Sequence, residues 1–321
     1  MKRIGILTSG GDAPGENPCI RAVVRTGIGH GLEMVGIHRG YTGLIEADME
    51  PLNARSVGGI IQKGGTFLET ARCPEFKTEE GQRTALRNLN RHGLEALVVI
   101  GGDGSQTGAL KLHQMGSPVI GIPATIDNDL AFTDIAIGVD TALNTLLDAI
   151  DRIKDTASSH QRAFLVEVMG RNSGYLALMG GIAGGAEAIV IPEVETSCEE
   201  LAERVKDAYV RGKAHFIAVV AEGAKPDTQT LAQHLSGRKL GFEVRVTILG
   251  HVQRGGSPTA FDRLLATRLG AAAVQQLMKG QKGKMVGLIG NKVVATDLEK
   301  VLAIPKSVDL EFYKLAQMLE R

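Results

Sequence analysis

The stretch that decides the fold reads Leu97-Val98-Val99-Ile100-Gly101-Gly102-Asp103-Gly104-Ser105, followed farther on by Pro118-Val119-Ile120-Gly121-Ile122-Pro123-Ala124-Thr125-Ile126-Asp127-Asn128-Asp129. Four apolar residues in a row predict a strand buried on both faces, as in a parallel sheet. The small residues behind it place a strand-to-helix turn where backbone N–H groups can approach an anion and the helix N-terminus points at it. The second strand ends in two carboxylates two residues apart, where one could hold a metal and the other take a proton. Together the two turns point to phosphoryl transfer.

Outward from this stretch the same grammar repeats. Apolar runs at Ile4–Leu7, Met34–Ile37, Phe164–Val168, Ile189–Ile191, Phe216–Val220, Val244–Ile248 and Val286–Ile289 predict further strands, and many of the 41 glycines fall within a few residues after apolar runs. Helical periodicity at Ile20–Ile28, Gln82–Asn90, Thr141–Ile153, Cys198–Val210 and Phe261–Met278 separates them, so the fold class is α/β with right-handed crossovers. Ligands are then expected beyond the carboxyl ends of the strands. Thr8-Ser9-Gly10-Gly11-Asp12 echoes Gly101-Gly102-Asp103, and two such turns side by side would line one phosphate cleft.

The totals narrow the class. At 321 residues, with 43% hydrophobic and 22% charged side chains, the chain is long enough for two domains or one large one and can bury a core. Thirty-six basic residues balance 36 acidic ones, which gives no reason to expect nucleic acid or a membrane surface as partner. Cys19, Cys73 and Cys198 are odd in number and far apart, the pattern of reduced thiols, and no apolar window reaches ~18 residues. A cytoplasmic protein is expected.

Two common phosphate loops fail on residues. The lysine-bearing loop is absent because Ala109 follows Gly108, and the dinucleotide fingerprint is broken by Thr107. Asp103 changes the reading, since a carboxylate inside a phosphate turn repels its ligand unless a divalent cation lies between; Mg²⁺ is the expected ion. Asp127 is the candidate base for an acceptor hydroxyl, with Asp129 as its electrostatic companion. Arg171 lies in Met169-Gly170-Arg171-Asn172-Ser173-Gly174, and Arg254 in Gly250-His251-Val252-Gln253-Arg254-Gly255-Gly256. Each stands beside glycines at a strand end, as a phosphate clamp requires. Arg171, Arg245, His251 and Arg254 are therefore candidates for a phosphorylated acceptor, and Glu222 for sugar hydroxyls.

With these residues in view the chain resembles the bacterial ATP-dependent 6-phosphofructokinase family. The motifs that carry the resemblance are Leu7–Gly15, Lys63–Thr66, Ala71–Phe76, Gly101–Ser105, Thr125–Asp129, Val168–Arg171 and Leu249–Pro258. It implies two Rossmann-like α/β domains with largely parallel sheets: a larger MgATP-binding domain, 1–138 plus 252–301, and a smaller sugar-phosphate-binding domain, 139–251 plus 302–321. Gly11, Arg72, Cys73 and Gly102, Asp103, Gly104 and Ser105 would contact ATP, and Asp103 would serve Mg²⁺. Asp127 would accept the proton of the 1-hydroxyl of fructose 6-phosphate, while Thr125 and Arg171 would stabilise the transferring group. Met169, Gly170 and Glu222 would hold the sugar, His251 and Arg254 its 6-phosphate, and Arg162 and Arg245 would reach the neighbouring subunit's site in a homotetramer. An effector site for ADP or phosphoenolpyruvate would use Arg21, Arg25, Lys154, Glu187, Arg211 and Lys213. Ala54 stands where some members have Arg, and Glu16 and Pro18 alter the loop before Arg21.

Pyrophosphate-dependent members typically carry Asp and Lys at positions 104 and 124. Gly104 and Ala124 stand here, so ATP is the expected donor. Another kinase with a Gly-Gly-Asp-Gly turn would lack the His251–Arg254 clamp, and a nucleotide sensor without chemistry would have no need of Asp103, Asp127 and Arg171 together.

Overall fold

Apolar runs become strands and periodic stretches become helices in the computed structural model, which describes residues 1–319. The strands are β1 (Arg3–Ser9), β2 (Glu33–Ile37), β3 (Met49–Leu52), β4 (Ala96–Gly101), β5 (Val119–Pro123), β6 (Arg162–Val168), β7 (Ala188–Val190), β8 (Phe216–Ala221), β9 (Glu243–Ile248), β10 (Lys284–Ile289) and β11 (Lys292–Asp297). Between them run α1 (Glu16–Gly29), α2 (Tyr41–Glu46), α3 (Glu79–Arg91), α4 (Asp103–Gln114), α5 (Val139–His160), α6 (Tyr175–Ala183), α7 (Cys198–Val210), α8 (Thr228–Ser236), α9 (Ala260–Met278), α10 (Leu298–Ala303) and α11 (Leu310–Leu319).

The chain divides into two units, Met1–Thr141 with Arg254–Lys306, and Ala142–Gln253 with Ser307–Arg321. In the first, seven strands lie in the order β11-β10-β5-β4-β1-β2-β3. The inner five are parallel, and β3 and β11 pair antiparallel at the two edges. Every residue of β4 is buried, which is why it reads as an unbroken apolar run. In the second unit β7-β8-β6-β9 form a parallel sheet. Its two faces pack separate apolar clusters, Leu165 with Val205 and Leu231 on one side, Val166 with Leu146 and Leu178 on the other.

Several helix starts carry side-chain caps. Thr78 accepts from Gly81 N, Ser197 from Glu200 N and Asp227 from Thr230 N. The helix α1 begins four residues earlier than its apolar period predicts, because Pro18 falls in the first turn, where a missing N–H breaks no helical bond. Asp262 of α9 is fully buried and holds the start of α5: its carboxylate accepts from Gly138 N at 2.9 Å, Thr141 N at 2.8 Å and Thr141 Oγ1 at 2.6 Å. Burial pushes its carboxyl up to about 6.

Glu16 is the other buried acid. It is 1% exposed, folds back so that its Oε1 accepts from Ala13 N at 3.0 Å, and burial pushes it up from 4.5 to about 8. Between those two values the folded chain holds a proton that the unfolded chain has lost, so stability falls as pH rises from 4.5 to 8. The loss is of the order of several kcal/mol once both values are passed. Glu16→Gln keeps the acceptor for Ala13 N and removes the titration. Its melting temperature is expected to match wild type near pH 5 and to exceed it increasingly up to pH 9; parallel melting curves at all pH values would contradict the burial of this acid.

Candidate active site

In the first unit three strand ends emerge side by side, since β4 pairs with β1 through Gly101↔Ser9 and with β5 through Gly101↔Pro123. The turn after β1 contains Gly10 at φ +92°, a conformation open to glycine. A Cβ on Gly11 would come within 2.6 Å of the Arg254 guanidinium, whose Nη1 donates to Asp12 O at 3.0 Å. Gly11 and Arg254 are thus adjacent, although the sequence separates them by most of its length. Thr66 donates to the Thr8 hydroxyl, Thr8 to Glu69 O and Thr70 to Gly10 O, at 2.7–2.9 Å. These bonds bring the segment leading to exposed Arg72 and half-buried Cys73 alongside the turn.

After β4, Gly102 caps α4 and the exposed Asp103 and Gly104 form its first turn, where helix amides and the positive dipole end favour an anion. Ser105 is 4% exposed; its hydroxyl donates to Ser9 O at 2.7 Å and its carbonyl accepts from Tyr41 Oη at 2.6 Å. It ties the two Gly-Gly-Asp turns together. A Cβ at Gly104 would meet no protein atom within 4 Å. The fold therefore does not demand a glycine there.

After β5, Thr125 and Asp127 are 7% and 3% exposed, and the Thr125 hydroxyl accepts from Asp127 N at 3.2 Å. Ala124 is buried and bridges to Ile137. Asp129 is partly buried on the same loop. Asp103 offers one carboxylate beside amide donors, a set that suits Mg²⁺ arriving with nucleotide phosphates, because this ion takes one or two protein carboxylates and fills its remaining positions with phosphate oxygens and water.

The second unit repeats the device. There β6 pairs with β8 and β9, so the loops after Val168, Ala221 and Ile248 emerge together. Glu222 Oε1 accepts from Gly170 N at 3.2 Å and Arg171 N at 2.6 Å, which fixes Arg171 at φ +52° with an exposed side chain. Gln253, fully buried, accepts from Met169 N at 2.9 Å. Sequence reasoning passed over Gln253; its place between His251 and Arg254 was the available signal. His251 is exposed on the short helical turn Gly250–Arg254. On the edge strand Glu243 takes both Arg162, at 2.8 Å, and Arg245.

Of the expected effector residues, Arg21 and Arg25 lie on α1 in the first unit, and Arg25 reaches Ala54 O at 3.4 Å. The other four belong to the second. Lys213 pairs with Glu187 at 3.3 Å, Lys154 donates to Gly184 O, and Arg211 donates to Asp207 O. Glu187, Arg211 and a residue the sequence reading missed, Arg204, line a cavity of about 390 Å³. Arg204 reports itself only in three dimensions, by donating to Glu187 O at 3.0 Å.

Residues 3–277 match the model of the phosphofructokinase family. The chain is 56% identical to the ATP-dependent 6-phosphofructokinase of Thermotoga neapolitana, over 99% of this chain and 100% of that protein. The phosphofructokinase of Saccharomyces cerevisiae superposes with a TM-score of 0.87 at 37% identity, and the chain spans all of its own length but 47% of that longer one. A pyrophosphate-dependent phosphofructokinase from Marinobacter aquaeolei shares the fold, with a TM-score of 0.86 at 24% identity. On a family match that spans most of the chain and the relative's identity, this chain belongs to the phosphofructokinase family.

Proposed function

We propose that the chain is an ATP-dependent 6-phosphofructokinase, which moves the γ-phosphoryl group of ATP to the 1-hydroxyl of fructose 6-phosphate and yields fructose 1,6-bisphosphate and ADP. The observation that carries this is the pairing of a helix N-terminus bearing Asp103 and Gly104 with the buried Asp127 on the adjoining strand end. A phosphate cradle and a base stand on neighbouring strands. The full-length identity with an ATP-dependent enzyme supports the choice of donor.

In this reading Asp127 takes the proton of the sugar 1-hydroxyl as its oxygen attacks the γ-phosphorus, and ADP leaves from the opposite side. The Thr125 hydroxyl, which accepts from Asp127 N, keeps its own proton to donate to a phosphoryl oxygen. Arg171 supplies a guanidinium for the charge that spreads over the transferring group. Asp103 would hold Mg²⁺, which supplies charge neutralisation at the phosphates when bound. Met169, Gly170 and Glu222 serve the sugar, and His251 and Arg254 its 6-phosphate. Arg162 and Arg245 serve a neighbouring subunit of a homotetramer, and the cavity beside Glu187 and Arg211 belongs to an ADP or phosphoenolpyruvate site.

The pyrophosphate alternative meets two small residues. Gly104 leaves the space beside the turn open for a nucleotide, and buried Ala124 offers no cation for a second phosphate. A coupled assay with fructose 6-phosphate, run in parallel with ATP and pyrophosphate, tests the function: ADP release with ATP alone is expected, and turnover with pyrophosphate would overturn it.

Two substitutions test the roles. Asp127→Asn is expected to lower kcat at least ~10²-fold with little change in KM for the sugar phosphate, because a base acts in the transition state. A large rise in KM at unchanged kcat would reduce Asp127 to a binding residue. A Cβ at position 104 meets no protein atom within 4 Å, so Gly104→Asp should keep the fold while KM for ATP rises about tenfold or more from crowding and repulsion of the phosphates. An unchanged KM for ATP would place the nucleotide elsewhere.

A further inference from the structure

The loop that carries Asp127 and Asp129 is costly in backbone terms. Asn128 at φ +50° and Phe132 at φ +59° occupy the left-handed region, at about 1 kcal/mol or more each for residues with a Cβ. Something must hold them there. The Asn128 side chain accepts from Ala136 N at 3.0 Å and donates to Asp134 O at 3.1 Å. Leu288 N donates to the Thr133 hydroxyl at 3.1 Å, and Asp134 N donates to Leu288 O at 2.7 Å, which fastens the loop's far end to β10.

Lys306 completes the hold from a distant part of the chain. Its Nζ donates to Thr133 O at 2.7 Å and to Asp134 O at 2.9 Å. A surface lysine leaves its ammonium in water and lays only its stem on the protein. Here the ammonium itself is drawn in: burial pushes its pKa down to about 8, and the carboxylates of Asp134 and Asp129 work against that shift, in favour of the charged form. Charge-assisted bonds of this kind are roughly twice as strong as neutral ones.

We propose, taking Asp127 as the base, that Lys306 is a positioning residue for phosphoryl transfer: its ammonium clamps the Thr133–Asp134 end of the loop and so fixes where Asp127 and Asp129 stand. Such a clamp governs kcat rather than KM. The base sits on the loop it restrains, while the residues assigned to the sugar phosphate are carried by other strand ends, and a displacement of the base by about 1 Å costs on the order of 10²-fold in rate.

The test uses the full-length enzyme at pH 7 with saturating MgATP and varied fructose 6-phosphate, comparing Lys306→Met, Lys306→Arg and Asp127→Asn. Lys306→Met is expected to lower kcat about 10- to 100-fold with KM for the sugar within about twofold, and to speed amide exchange in peptides spanning 128–136. Lys306→Arg, which keeps charge and donors, should return most of the rate. If Lys306→Met does not fold, Lys306→Gln is read by the same criteria. Unchanged kcat, a loss carried by KM, or an equal loss in Lys306→Arg with unaltered exchange would each overturn the clamp. Asp127→Asn separates the two possible failures. Wild-type kcat in that variant overturns the base and the clamp with it, whereas a full effect there beside an unchanged Lys306→Met overturns the clamp alone.

Discussion

The Ser105 hydroxyl donates to Ser9 O at 2.7 Å, and what is proposed for the phosphates depends on that bond. Parallel strands bring their carboxyl ends to one edge of a sheet, but register alone sets relative height in steps of about 3.3 Å. Phosphate oxygens need finer placement than that. The pairing Ser9↔Gly101 sets the step and the serine bond sets the remainder. Tyr41 then secures Ser105 from below: its hydroxyl reaches Ser105 O, and its ring stacks at 4.0 Å on Phe76, three residues beyond Cys73. Burial pushes the Tyr41 phenol up, so it stays a donor across the working pH range. The apolar core of the first unit thus reaches the turn proposed for the phosphates through one aromatic pair.

Both units hold a loop of the candidate site by giving its backbone N–H groups a side-chain acceptor. Glu222 and Gln253 receive the amides of Met169, Gly170 and Arg171, and Asn128 receives that of Ala136. A loop outside the sheet ladder must satisfy its amides elsewhere or leave them to water. Side chains that take this duty also set φ and ψ. Arg171 and Asn128 both stand at positive φ, and in each case the acceptor lies within or beside the strained turn.

What the sequence made legible followed from burial. Residues Leu97–Ile100 and Phe216–Val220 are covered on both faces, so their apolar runs are unbroken and their strands lie within a residue or so of the predicted ends. The edge strands β3 and β11 left no such trace: Met49–Leu52 contains Glu50 and Pro51, and Lys292–Asp297 is half-exposed throughout most of its length. An edge tolerates polar residues and proline because one side of the ladder is free. The motif residues of the candidate site stood out in the sequence because glycine with aspartate or arginine recurs at several strand ends, although each of these residue types singly is common in turns and on surfaces. Gln253, Arg204 and Lys306 were not, because each acts on the backbone of a segment remote in sequence, and no local spacing encodes a bond from Lys306 to Thr133.

Charge placement in the first unit follows the same economy. Asp12, Asp103, Asp127 and Asp129 already gather negative charge near the turns proposed for the phosphates, and Glu16 follows the first of them in the chain. An ionised Glu16 would add to the repulsion and would pull on Arg254, whose positive charge is felt at the Glu16 carboxyl. With its carboxyl pushed up to about 8 by burial, Glu16 keeps its proton at neutral pH. It then serves as a neutral brace for Ala13 N and leaves Arg254 free of a competing anion on that side. Burial of this acid costs stability at high pH, and in exchange the charges that remain near the turn are ones a metal ion or a phosphate can answer.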